Sequence, residues 1–151
     1  MMYKIVDSTA EKISDQYKDL LHSFMEFTEK NLSYDKPVVI HFISDGENAK
    51  NPLARTGGYD PVNMQIIIYT SGRHIKDILR SLSHELIHHL QNCEGKISHD
   101  SNTETGYAQK DMKMRELEID AYKHGNIMNF RDFEDNYKDK GLKKIKMRIK
   151  K

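Results

Sequence analysis

The sequence predicts a small α+β domain in which a mixed β-sheet packs against helices. Its 151 residues are enough for one hydrophobic core. Short β-rich runs lie between long amphipathic patterns, and no internal repeat or domain boundary interrupts them. With 37% apolar and 31% charged residues, the composition is typical of a small soluble domain. We therefore expect one domain over residues 1–137, followed by a basic tail or terminal strand over residues 138–151.

The first half of the chain predicts one helix and three strands. Apolar residues recur at helical spacing across residues 10–32. The run KPVVIHFIS that follows is rich in β-formers. Two short strands, at 55–59 and 64–69, are then joined through Asp60 and Pro61, and Gly72 closes the second. The residues that define the first helix are Ile13, Tyr17, Leu20, Leu21, Phe24 and Phe27.

A long central helix is predicted over residues 73–92, ending near Gly95. A polar stretch over residues 95–111 reads as a loop, and a further helix runs from Met112 to His124, with Gly125 as a break. The apolar residues of the central helix fall on one stripe, which we expect to face the core: Ile75, Ile78, Leu79, Leu82, Leu86 and Leu90.

The central helix contains the segment SHELIHH, which places His84, Glu85 and His88 in the order His-Glu-x-x-His. Two histidines four residues apart are stacked about 6 Å along a helix, so their rings can bind one zinc ion at about 2.0–2.1 Å. Glu85 is turned by about 100° from His84, where it can act as a base without occupying a ligand position. The alternative is a surface helix with solvated histidines, since a chance match occurs in roughly 0.03 of such chains.

A catalytic zinc site needs a third protein ligand. Glu94 points away from the two histidines, and Cys93 lies on the core stripe, so both are poor candidates. Glu116 and Asp120 lie four residues apart on one side of the next helix. We predict Glu116 as the ligand and Asp120 as the acceptor of the outer N–H of a ligating histidine. Three alternatives remain open for the ligand: Glu118, His99 and His124.

In these residues the chain resembles the gluzincins, zinc peptidases with His-Glu-x-x-His on one helix and Glu-x-x-x-Asp on the next. It also resembles the compact metallopeptidases of tailed bacteriophages. The resemblance covers about two fifths of the chain. It implies a minimal zincin-like domain that binds one Zn²⁺ and hydrolyses peptide bonds, with Glu85 as general base.

The resemblance also implies an edge strand that binds the substrate above the active-site helix. The strand just before that helix is the expected one: Met64, Gln65, Ile66, Ile67, Ile68 and Tyr69. No motif marks the group that stabilises the oxyanion, and the candidates are Tyr107, Tyr122 and Tyr59. His89 is predicted to pack or to support a ligand, and His41 to be a structural strand residue.

The tail is the basic part of the chain, because its basic residues far outnumber its acids while the rest of the chain has more acids than bases. Residues 138–151 contain eight Lys or Arg and one acid, leaving 16 basic and 22 acidic residues in the rest of the chain. The alternation in IKMRIK is typical of an edge strand, whereas the charge alone would suit an acidic surface. Because no aromatic residue is interleaved for base stacking, we do not expect nucleic-acid binding. The alternative function is a non-catalytic zinc-binding module whose tail docks it on nucleic acid or a viral particle.

The expected location is the cytoplasm, including that of a virus-infected host cell. No run approaches the roughly 18 apolar residues that span a bilayer, and the N-terminus lacks a signal-peptide pattern. Cys93 is the single cysteine, which suits a reducing compartment. A peptide or protein substrate is the expected partner.

Overall fold

A computed structural model describes residues 2–10, 12–44, 56–97 and 107–137, with side chains in the last range described from Met112 onward. The fold is α+β, as the sequence predicts, with a mixed four-stranded sheet and helices. Within these ranges, no helix combines the length and the apolar character needed to cross a membrane. The predicted basic tail, residues 138–151, lies outside the described residues.

The sheet has the strand order β1-β2-β4-β3. Its strands are β1 (Tyr3–Ser8), β2 (Val38–Ile43), β3 (Gly57–Asp60) and β4 (Gln65–Tyr69). Strands β1, β2 and β4 run parallel, while β3 pairs antiparallel with β4 and forms one edge. Strand β1 was not predicted.

The prediction that residues 64–69 form the free edge is wrong. Strand β4 pairs with β2 on one side and with β3 on the other, so its backbone groups are used by neighbouring strands. The strand at this edge of the sheet is β3, which pairs with β4. The error has a physical cause, because residue alternation indicates a strand but does not give its place in the sheet.

The helices are α1 (Asp15–Leu32), α2 (Ile75–Cys93), α3 (Tyr107–Ala121), a π-helical segment (Tyr122–Asn129) and α4 (Phe130–Tyr137). One hydrophobic core joins α1, α2 and α4 to a single face of the sheet. The predicted core stripe of α2 is confirmed, because Leu90 packs against the core and the other five residues are buried. The buried residues are Ile75, Ile78, Leu79, Leu82 and Leu86.

The start of α2 is tied to the sheet by Arg73. Its guanidinium group donates hydrogen bonds to the carbonyl oxygens of Thr56 and Tyr69, which lie beside β3 and at the end of β4. It also donates to the Asp77 carbonyl and the Ser81 hydroxyl, one and two turns into the helix. The same side chain therefore fixes where α2 leaves the sheet, and with it the position of the His-Glu-x-x-His segment.

The sequence predicts that the helix breaks at Gly125, and that prediction is wrong. Gly125 lies inside the π-helical segment. Helical backbone continues through Gly125 into α4. A Cβ atom added at Gly125 would lie 2.8 Å from the Cα of His84 and 2.8 Å from the carbonyl oxygen of Ser83. The buried Asn129 donates hydrogen bonds to the hydroxyls of Thr28 and Ser83, which connects the segment to α1 and α2. Glycine is thus needed here for close helix packing.

Replacing Gly125 by alanine is expected to destabilise the protein by about 1–3 kcal/mol, the usual cost of overpacking a tight contact. The contacting atoms belong to the backbone of α2, so they cannot move aside as a flexible side chain would. The measurement is the free energy of unfolding in urea. The matched control is Gly58→Ala, because a Cβ atom at Gly58 meets nothing within 4 Å. Equal stabilities of the two variants would contradict the close packing of α2 and the π-helical segment.

Candidate metal centre

Helix α2 presents His84 and His88 on one side, one turn apart. Their ring centroids lie 5.0 Å apart, with the ring planes 80° to each other. Both rings are partly buried, and the Nε2 atom of each is directed toward the same carboxylate group. The convergence that the four-residue spacing predicts is therefore present.

The carboxylate between the two rings belongs to Glu118. Its oxygens lie 2.6 Å from Nε2 of His88 and 3.5 Å from Nε2 of His84. Among the described residues, His84, His88 and Glu118 form the group that could hold a metal ion, with ligand atoms within 4.8 Å of one another. Two imidazole nitrogens and one carboxylate oxygen are a donor set that zinc accepts.

The prediction of Glu116 as third ligand is corrected by this geometry. Glu116 is not part of the group, although both it and Glu118 are exposed. The inward stripe of α3 contains the half-buried Leu117 and the fully buried Ala121. Glu116 and Glu118 flank Leu117 on opposite sides of the helix, about 200° apart. The way α3 lies across α2 brings Glu118 to the histidines.

The outer nitrogen atoms of both histidines contact side-chain amides. Nδ1 of His84 lies 2.8 Å from Oδ1 of Asn126, in the π-helical segment. Nδ1 of His88 lies 2.8 Å from Oε1 of Gln91, one turn further along α2. Because an amide oxygen only accepts hydrogen bonds, each Nδ1 atom acts as the donor. Each Nε2 atom is thereby left facing Glu118.

The sequence predicted that Asp120 accepts a hydrogen bond directly from a histidine of the group. That prediction is wrong. Instead, Asp120 accepts a 2.7 Å hydrogen bond from Nε2 of Gln91, which stands between Asp120 and His88. His124 lies on the other side of Asp120, with its Nδ1 atom 2.5 Å from Oδ1 of Asp120. Partial burial raises the pKa of Asp120, but hydrogen bonds from Gln91 and His124 outweigh it and lower the pKa overall.

Glu85 is a buried acid next to the three grouped side chains, with 8% of its surface exposed. Burial raises its pKa to about 7, and the negative charge of Glu118 adds to the increase, while His88 opposes it. Gly57 of β3 passes directly over it, since a Cβ atom added there would lie 3.7 Å from Cγ of Glu85. The carboxyl group is therefore held between α2 and the edge strand, outside the ligand group.

A cleft of about 450 Å³ opens in front of these side chains. One wall is β3, and the opposite wall is α3 with Ile97. Glu85, His88 and Glu118 line the cleft together with apolar groups. The lining residues from the two walls are Gly57, Gly58, Tyr59, Pro61, Ile97, Met114 and Leu117. Among the described residues, no strand pairs with the outer edge of β3.

Of the tyrosine candidates for oxyanion stabilisation, neither Tyr59 nor Tyr122 forms a hydrogen bond to the group. The Tyr59 hydroxyl donates to Nδ1 of His89 and accepts from Asn92, so its hydrogen bonds serve the packing of β3 on α2. Tyr122 is 57% exposed. The backbone of Tyr107 lies in α3, but its side chain lies outside the described residues.

The ligand group does not include His41, His89 or His124. His89 is fully buried and donates from Nε2 to the Lys36 carbonyl, which agrees with the packing role predicted for it. His41 lies in β2, as expected. His124 contacts Asp120 outside the ligand group, and His99 lies outside the described residues.

Sequence reasoning missed two residues of the site, Gln91 and Asn126. Gln91 had a usable signal, because it follows His88 by three residues on the same helix face. Asn126 had none, since its contact with His84 depends on the π-helical segment. Such i→i+5 turns are found frequently at functional sites but have no simple sequence pattern.

No protein-family model, curated protein or solved structure matches this chain.

Proposed function

We propose that the protein is a zinc-dependent metallopeptidase of the gluzincin type, with His84, His88 and Glu118 as zinc ligands and Glu85 as general base. The observation that carries this proposal is the convergence of three ligand atoms beside a buried acid that is not itself a ligand. A structural zinc site would use a fourth protein ligand and would have no need of such an acid. The spacing of the second acid departs from the gluzincin pattern, because Asp120 follows Glu118 by two residues instead of four.

A zinc ion in this group would supply Lewis-acid polarisation of a peptide carbonyl and a water molecule of lowered pKa. Glu85 accepts the proton that the attacking water loses as the new C–O bond forms. It then donates that proton to the amide nitrogen as the C–N bond breaks, so that a carboxylic acid and an amine leave. Burial raises the pKa of Glu85, which makes its carboxylate a better proton acceptor than an exposed one.

An extended peptide is the substrate that the cleft fits. The outer edge of β3 has free hydrogen-bonding capacity among the described residues, and a peptide can pair with such an edge through its main chain. Strand β3 thus takes the role that the sequence assigned to residues 64–69. The apolar wall formed by Met114, Leu117 and Ile97 favours substrates with apolar side chains near the cleaved bond.

The proposal predicts that the full-length chain binds one zinc ion and cleaves peptides only when zinc is bound. The chain is stripped with a chelator, divided, and reconstituted with zinc in one half. Elemental analysis gives the stoichiometry, and mass spectrometry of a mixed peptide library gives the cleavage products. Absence of retained zinc would contradict the metal site. Zinc retention without any cleavage would contradict the peptidase proposal and favour a zinc-binding module.

A further inference from the structure

The Gln91 side chain contacts His88, Asp120 and the backbone of α3 at the same time. It is 1% exposed, so each of its polar atoms needs a partner within the protein. Its Nε2 atom donates to the Leu117 carbonyl at 3.0 Å and to Oδ2 of Asp120 at 2.7 Å. Both amide N–H bonds are used in this way, which leaves Oε1 facing Nδ1 of His88 at 2.8 Å.

These contacts fix the orientation of the amide group. If it were turned by 180°, its oxygen would face the Leu117 carbonyl and the Asp120 carboxylate, both of which only accept hydrogen bonds. The orientation with the oxygen toward His88 is therefore the one that satisfies every partner. It requires a proton on Nδ1 of His88.

The proton on His88 has two competing acceptors. Oε1 of Gln91 lies 2.8 Å from Nδ1, and Oε1 of Glu118 lies 2.6 Å from Nε2. A neutral imidazole ring carries a single proton. If that proton were on Nε2, the nitrogen would have no lone pair for a metal ion. The tautomer with its proton on Nδ1 therefore presents Nε2 ready for a metal ion, whereas the other tautomer must first move its proton.

We propose that Gln91, anchored by Asp120 and the Leu117 carbonyl, is a positioning residue that keeps a proton on Nδ1 of His88 and so reserves Nε2 for the metal. Asp120 acts through Gln91 and does not contact the histidine. The arrangement replaces the direct contact between a carboxylate and a histidine with a neutral amide. It also links the ligand-bearing helix α2 to α3, which carries Glu118. This inference rests on the proposed function only in taking His88 as a ligand.

The first test is the protonation of His88 in the metal-free, full-length protein, read from long-range ¹H–¹⁵N correlations of the ring. The parent is expected to show a protonated Nδ1 atom. Gln91→Met keeps a similar side-chain volume and removes the amide, so the single proton should be found on Nε2, facing Glu118. A protonated Nδ1 atom that persists unchanged in a folded Gln91→Met variant would overturn the proposal.

The second test is zinc affinity, measured by competition with a fluorescent chelator. Gln91→Met should bind zinc about 10–100-fold more weakly, the usual effect of removing an outer partner of a metal ligand. Asp120→Ala perturbs the same contact from a more exposed position and should weaken binding in the same direction. Asp120→Asn still offers an oxygen to Gln91 and should restore affinity toward that of the parent. Equal affinities for the parent, Gln91→Met and Asp120→Ala would overturn the positioning role.

The two tests separate this inference from the proposed function. If the parent binds no zinc but its Nδ1 proton depends on Gln91, the control of the His88 tautomer by Gln91 stands, while its role toward a metal fails together with the metal proposal. If the parent binds zinc and cleaves peptides while Gln91→Met matches it in both tests, the proposed function stands and the positioning role fails. The matched control is Gln65→Met in β4, whose position outside the metal centre predicts no change in either measurement.

Discussion

Replacing Glu85 by glutamine is expected to lower kcat/KM for peptide hydrolysis by about 10²–10⁴-fold, the range that general acid–base catalysis typically contributes. Glutamine has the same shape but cannot accept and return the proton. Zinc binding should persist, because Glu85 lies outside the ligand group. The fold should persist as well, since the substitution places a neutral group at a buried position where a charge is disfavoured.

The measurement compares the parent and Glu85→Gln on a peptide identified from the library, with zinc content determined for both. The matched control is Glu94→Gln, which changes the exposed residue that ends α2 and should leave hydrolysis unchanged. Zinc-dependent cleavage at the parental rate by Glu85→Gln would exclude Glu85 as the base. Loss of zinc together with activity would instead indicate that Glu85 serves the metal site.

Replacing Glu118 by glutamine is expected to weaken zinc binding by more than about 100-fold. The loss should exceed the 10–100-fold that outer partners of a ligand usually contribute, because the carboxylate is itself one of three ligands. It supplies negative charge, with one oxygen 2.6 Å from Nε2 of His88 and the other oxygen 3.5 Å from Nε2 of His84. A neutral amide oxygen at that position is a much weaker donor for zinc.

Glu116→Gln provides the matched control for this experiment. Glu116 is the same residue type, lies two positions away on the same helix and is exposed. It should bind zinc as the parent does, when both are measured by chelator competition at one pH. The opposite result, with Glu116→Gln losing zinc and Glu118→Gln retaining it, would restore the ligand that the sequence alone had favoured.

The sequence by itself determined most of the local elements, though not strand β1, and two of the three side chains of the candidate metal centre. Helical spacing identified α1, α2 and the core stripe of α2, because burial of one face imposes a 3.6-residue period. The same geometry placed His84 and His88 together and Glu85 beside them, since residues four apart on one helix meet whatever the rest of the fold does. These relations are local, and so they could be predicted.

The tertiary structure alone decided which elements meet. The inward stripe of α3 has two edges. Glu118 lies on one edge, and Asp120, with Glu116 beyond it, lies on the other. The crossing of α3 over α2 determines which edge faces the histidines, and Gly125 with the π-helical segment sets that crossing through its contact with His84. The place of β3 at the sheet edge is likewise a matter of strand order. Neither relation leaves a periodic pattern in the chain, because each depends on packing between segments far apart in sequence.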